Sequence, residues 1–285
     1  MQSAIILIPV HKKDPSNYEL ISFDRCFSIF KDHSIIKLLA PEGLDLSAYT
    51  RRVKNLRIIR VAAHHLNSLG SYNKMKISHW FYSLFQEYEY LLTYELDSYV
   101  FKDELQYWCD KKYDYIGAPW LEGFHDANDQ SALMKTGNSG FSLRNVQTCI
   151  SICRKVERFS KTYSFLSKIS GLNLNCIKSI FSPFAPLFNC FATSEFFQAI
   201  SNNLENDQED YFWCVVVPKF HQIKIAPVEE AVAFSFEVQP ARLFKINKEV
   251  LPFGCHAWWR YDKEFWSKYI SIPNNMHCIL KDAGP

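Results

Sequence analysis

Short apolar runs alternate with helix-compatible polar segments through the first 120 residues. The runs "AIILIPV", "SIIKLLAP", "LRIIRVA" and "YEYLLTYELD" have the length and continuity of strands buried on both faces. Between the first two, Asp14 and Pro15 suit a helix start, and Leu20, Phe23, Phe27 and Phe30 fall on one face of the helix that follows. "LSAYTRRVKN" separates the second and third runs. "SYNKMKISHWFYSLFQEY" predicts one amphipathic helix from Ser71, with a stripe through Met75, Phe81 and Leu84 or Phe85. This alternation predicts an α/β chain with a mostly parallel central sheet and crossover helices. Next come a short helix at "DELQYWCDK", a strand at "YDYIGAPW" and a glycine-punctuated segment, "TGNSGFSLRN".

The pattern breaks over residues 154–206, which start basic and become rich in aromatic and apolar side chains. Order resumes at "QEDYFWCVVV", followed by a helix near "VEEAVAFSFE" and a loop, "LPFGCHAWWRYD". No repeat or interdomain linker interrupts the chain. The expectation is a single domain over 1–285 carrying a helical insertion at 154–206.

Composition narrows the function classes by exclusion. Lys and Arg number 32 against 30 Asp and Glu, so no global field attracts nucleic acid, and an anionic ligand needs a local site. Nine cysteines occur without a CxxC pair, the nearest two being Cys149 and Cys153, which supports neither a zinc ribbon nor a thioredoxin-like motif. Reduced thiols, an N-terminus without signal-peptide character and the lack of a transmembrane-length apolar run predict a cytoplasmic protein.

Candidate chemistry centres on Glu95 and Asp97, two carboxylates at the end of the fourth run. Ligands of open α/β sheets collect at the carboxyl ends of parallel strands, where such a pair can hold a hard divalent cation. An acidic turn opening is the competing reading. Gly137 and Gly140 flank Asn138 and Ser139, a backbone able to approach a ligand closely or to make a plain hairpin. Glu209 and Asp210 precede an apolar run, where acids either face a cleft or cap a helix. His256 sits between aromatics, as a late metal ligand or as a hydrogen-bonded structural residue.

Taken in order, "LLTYELDSYVF", "YDYIGAPW", "GNSGFSLR", "EDYFW" and "PFGCHAWW" resemble a family of bacterial glycosyltransferase-like domains long catalogued as of unknown function. That family looks like the GT-A class, a Rossmann-related fold whose Asp-x-Asp motif binds a divalent metal and a nucleotide diphosphate. Here the motif reads Glu95-Leu96-Asp97, so its first acid departs from the pattern. The resemblance implies Mn²⁺ or Mg²⁺ held by Asp97, with Glu95 on metal or ribose and His256 joining once the donor is bound. It implies Asp210 as the base of an inverting transfer, with Glu209 on the sugar or acceptor. Ser139 and Gly140, beside Asn138, would line the donor-sugar pocket, and Trp120 and Trp258 would either offer flat apolar faces or pack as core. Pro9, Val10 and His11 would cradle the nucleotide, while Asn73 and Lys74 would reach it or its phosphates.

The implied reaction moves a sugar from a nucleotide-sugar donor, a UDP-sugar by default, to a glycan or lipid-linked glycan hydroxyl in bacterial surface polysaccharide or lipopolysaccharide synthesis. Two alternatives stand beside it: a sugar-phosphate nucleotidyltransferase, and a carbohydrate-binding protein without turnover. "IPVHKKDP" lacks the glycine-rich phosphate loop expected of the first. From Arg154 to Lys178 there are six basic residues and one acid, followed by an aromatic stretch. Such a mixture, through residue 191, either lies on an anionic membrane surface or packs as a helical subdomain.

Overall fold

The structure is a computed structural model that describes residues 2–170 and 209–272. Four parallel strands form the heart of the sheet: β1 (Gln2–Pro9), β2 (Ile36–Pro41), β3 (Arg57–Val61) and β4 (Tyr88–Tyr94). Alternate residues of the central strands feed two separate cores. Ile6, Ile8, Leu38 and Leu92 face one layer, and Ile5, Leu7, Leu39 and Leu91 face the other. A continuous apolar run is therefore needed, because each face of the sheet is covered.

Helix α1 (Asn17–Ile29) packs Phe23 and Phe27 on the first face. It begins two residues beyond the expected Asp14–Pro15 start, with Ser16 as its cap. Ser16 accepts from the Glu19 amide while Glu19 accepts from the Ser16 amide, a reciprocal cap that fixes the boundary. After a short α2 (Ser47–Thr50), the second face receives two helices where the sequence predicts one, α3 (Leu69–Lys76) and α4 (His79–Ser83). Ser78 causes the break: its hydroxyl donates to the Met75 carbonyl and accepts from the Phe81 amide, ending one helix and capping the next. Met75, Phe81 and Phe85 are buried as the stripe requires.

Beyond β4 lie the two-residue β5 (Tyr99–Val100), helix α5 (Leu105–Asp110), β6 (Tyr115–Ile116), β7 (Pro119–Leu121) and β8 (Leu133–Thr136). The glycine segment leads into β9 (Phe141–Asn145), which joins β4 antiparallel and completes a six-stranded sheet ordered β3-β2-β1-β4-β9-β6. Helix α6 (Val146–Ser170) follows, so the start of the expected insertion continues a helix. The rest of that insertion, including the proposed membrane-facing stretch to residue 191, lies outside the described residues. Among the described residues, no helix is long and apolar enough to cross a membrane.

A second, three-stranded sheet pairs β5 with two late strands, β10 (Ser235–Phe236) and β11 (Gly254–Cys255), in the order β10-β11-β5. The expected loop "LPFGCHAWWRYD" thus contains a strand. This small sheet positions the site.

Candidate metal centre

The opening carboxylates sit on a tight turn. Ser98 donates its amide to the Glu95 carbonyl at 2.8 Å, and Glu95 donates its own amide to the Gly140 carbonyl at 2.9 Å. The chain then enters β5, whose partner β11 ends one residue before His256. Its parallel neighbour β10 ends one residue before Glu237. Three short strands therefore deliver Asp97, His256 and Glu237 to one point from positions far apart in sequence. The His256 amide donating to the Phe236 carbonyl at 2.9 Å locks the last two together.

Glu95, Asp97 and His256 each bring a ligand atom within 4.8 Å of the others. His256 Nε2 lies 3.0 Å from Asp97 Oδ1 and 3.5 Å from Glu95 Oε2. Neither approach has hydrogen-bond alignment, so Nε2 is a buried polar atom without a hydrogen-bond partner. On the ring's opposite edge Nδ1 meets Glu237 Oε1 at 2.9 Å and the Asn138 amide nitrogen at 3.2 Å. Gly140 makes the ring's position possible, since a Cβ there would overlap the imidazole. Burial disfavours a charged His256, but the Asp97 carboxylate, then Glu237 and Glu95, push its pKa well above the usual imidazole value.

Behind Glu95 runs a buried chain of charge. Tyr72 donates its hydroxyl to Glu95 Oε1 at 3.0 Å, and Lys76 Nζ lies 3.5 Å from the same oxygen. Lys76 is also 2.5 Å from Glu209 Oε1, with each side chain about 1% exposed. Arg144 grips both oxygens of Glu209 at 2.9 and 3.1 Å and donates to the Tyr82 hydroxyl at 2.9 Å. Burial opposes ionisation of Glu95, yet Lys76 and then His256 and Tyr72 hold its carboxyl well below the usual range. Glu209 is likewise held low, against burial, by Arg144 and Lys76.

A cavity of about 530 Å³ opens beside the cluster. It is lined by Pro9, Val10, His11 and Lys12 at and just beyond the end of β1, by Ser68, Leu69 and Tyr72, by Glu95 and Asp97, and by Trp259 and Arg260. Of the residues the sequence singles out, Pro9, Val10, His11, Glu95 and Asp97 line this cavity. Asn138 and Gly140 instead touch His256. The Ser139 carbonyl accepts from the Ser142 hydroxyl, and this residue does not line the cavity.

Three expectations need correction. Trp258 is fully enclosed, its indole N–H donating to Ser22 Oγ at 2.9 Å, and the neighbouring Trp259 presents the aromatic wall. Trp120 packs across Gly137 and against Phe124, away from the cavity. On α3 Tyr72 lines the cavity, whereas Asn73 is buried, Lys74 is exposed outside the cavity, and Lys76, one turn on from Tyr72, is buried against Glu209.

Both Glu209 oxygens are engaged by cations, so this acid has no free lone-pair face for a sugar. Asp210 differs: it is half-buried, and its Oδ1 accepts from the Tyr211 amide at 2.9 Å. Burial and the Glu209 charge push its pKa up to about 6.

Sequence reasoning missed Tyr72, Lys76, Arg144, Glu237 and Trp259. A lysine and a tyrosine spaced four apart on the buried side of a helix just before the acidic strand were the available signal. Glu237 offered none, because its strand is two residues long.

The donor set fits a hard divalent cation: two carboxylates and one imidazole whose Nε2 is buried, lacks a hydrogen bond and points at them. Charge agrees. The cations Lys76 and Arg144, with Arg260 4.0 Å from Asp97, face four carboxylates, Glu95, Asp97, Glu209 and Glu237, leaving one negative charge when His256 is neutral.

The described residues thus form an open, mostly parallel α/β sheet with an acid–histidine cluster near its strand ends. The chain belongs to the family described as "Protein of unknown function (DUF5672)", whose model matches residues 55–256 and so spans Glu95, Asp97, Asp210 and His256. No curated protein matches it. Among solved structures, apo mouse xyloside xylosyltransferase 1 aligns at 9% identity and a TM-score of 0.47, over 89% of this chain and 97% of that one. The galactosyltransferase LgtC, in complex with donor and acceptor sugar analogues, aligns at 13% identity and a TM-score of 0.45, over 96% and 99%. Likeness at this level carries no functional weight of its own.

Proposed function

We propose that this protein is a glycosyltransferase that moves a sugar from a nucleotide-diphosphate donor, a UDP-sugar by default, to a hydroxyl of a glycan or lipid-linked glycan. One observation carries the reading: two carboxylates of the Glu95–Asp97–His256 cluster line a cavity large enough for a nucleotide, and the imidazole Nε2, without a hydrogen bond, faces them from behind.

Asp97 and His256, with Oε2 of Glu95, would hold Mn²⁺ or Mg²⁺. When bound, the cation offsets negative charge growing on the departing diphosphate. Pro9, Val10 and His11 wall the nucleotide's portion of the cavity, and Trp259 supplies a flat apolar face. Arg260, exposed on the cavity lining and 4.0 Å from Asp97, adds positive charge where a diphosphate would bind. Asp210 acts as the base of an inverting transfer: with a pKa of about 6 it is mostly ionised at neutral pH and accepts the proton of the attacking hydroxyl. Glu209 holds Lys76, which in turn fixes Glu95, and takes no part in proton transfer.

The test is incubation with manganese and a panel of nucleotide sugars, reading the release of nucleoside diphosphate and the appearance of glycosylated acceptor. Metal-dependent release by the wild type, lost in Asp97→Ala and in Asp210→Asn, is expected. Full turnover by both variants, or no turnover with any donor, would remove the proposal.

A further inference from the structure

We infer that Glu237 is the positioning residue of this metal centre, setting the tautomer and the aim of His256. This rests on the glycosyltransferase reading only in taking the cluster to hold a divalent cation. Glu237 is buried, emerges one residue after β10, and contacts His256 Nδ1 at 2.9 Å. An imidazole that donates its Nδ1 proton to a carboxylate keeps the Nε2 lone pair bare, and Nε2 is the atom facing Asp97 and Glu95.

Two side chains reach Nδ1, and as placed only Glu237 offers it an acceptor. Asn138 reaches the same Nδ1 at 3.2 Å, but its amide nitrogen is itself a donor and cannot accept the Nδ1 proton. Rotating that amide by half a turn would bring Oδ1, now buried without a partner, to the shared proton beside Glu237. Gly140 leaves room for the Nε2 edge of the ring to face the carboxylates, since a Cβ there would overlap it. Glu237 also supplies the negative charge left over once Lys76, Arg144 and Arg260 are matched, and removing it would leave a site with no excess negative charge, less suited to a divalent ion.

Titration calorimetry with Mn²⁺ alone, on the full chain, tests this with Glu237→Ala and Glu237→Gln. Affinity should fall roughly 10- to 100-fold in both variants, the cost typical of removing a carboxylate behind a metal-ligating histidine. In ¹⁵N spectra recorded with Mg²⁺, wild-type His256 should show a protonated Nδ1 and a bare Nε2, and Glu237→Gln should lose that pattern. The isosteric variant is the safeguard should the alanine chain not fold. Wild-type binding matched within twofold by folded Glu237→Gln, with the His256 spectrum unchanged, would overturn the inference and leave the metal centre standing. A wild type that binds no Mn²⁺ would overturn the metal centre and this inference with it.

Discussion

Lys76 and Glu209 pair at 2.5 Å with both side chains almost wholly out of solvent, directly behind the acid that opens the Glu95-Leu96-Asp97 turn. The buried ammonium meets Glu209, Glu95 and the face of the Tyr72 ring, so its desolvation is offset by these partners. The pair therefore connects the helical layer to the carboxyl end of β4, and its integrity governs where Glu95 points.

Stability separates the two neighbouring acids. Glu209→Gln strands Arg144 without a counter-charge, leaves Lys76 only the more distant Glu95, and should cost about 3–5 kcal/mol in chemical denaturation. Asp210→Asn should be neutral or stabilising at neutral pH. The folded-state pKa of Glu209 lies below its ordinary value of 4.5, so its contribution is present above that pH and lost as pH falls through the depressed value. The variant should accordingly lose much of the wild type's acid sensitivity.

Asp210 has the opposite sign. Its pKa rises from 3.8 to about 6 on folding, so its protonated form is favoured in the fold. Its effect on stability is most favourable below pH 3.8 and declines as pH rises through 6. Turnover needs the ionised form, so kcat/KM should fall with acid below about pH 6. An acid limb that stays near 6 in a still-active Asp210→Asn would assign it to another group.

Gly140→Ala places a methyl where the His256 ring stands. Mn²⁺ affinity measured by calorimetry should drop at least tenfold as the imidazole is displaced. Unaltered affinity would show that His256 is not a ligand.

The adjacent tryptophans should behave differently under truncation. Trp258→Ala opens a large cavity in the core and should cost about 3–5 kcal/mol in denaturation. Trp259→Ala should leave the melting temperature nearly unchanged while weakening nucleotide binding, read by fluorescence titration.

Where the chain repeats a physical pattern, its sequence is readable. The buried runs of β1, β2 and β4 carry their identity in unbroken apolar character, and Phe23 and Phe27 mark α1 by their spacing. Asp97 and His256 meet as the ordered motifs imply, but the means of their meeting was hidden. Strands β5, β10 and β11 have two residues each, too few for a period, and exist because they pair with one another. Glu209 reads as a helix-start acid because nothing local announces Arg144, 65 positions away. Trp258 and Trp259 are indistinguishable by type, and only the direction of the loop decides which is core. Ser78 breaks a helix that its apolar stripe continues through, since a local side-chain bond outweighs the weak preference of the turn.

The central claim is that Asp97 and His256 share one divalent ion beside the nucleotide cavity. Anomalous diffraction at the manganese edge, from crystals grown with manganese and UDP, tests it most directly. A single peak in coordination contact with Asp97 and with His256 Nε2 is the expected result. Ordered UDP in the cavity with no peak between those two side chains would contradict it.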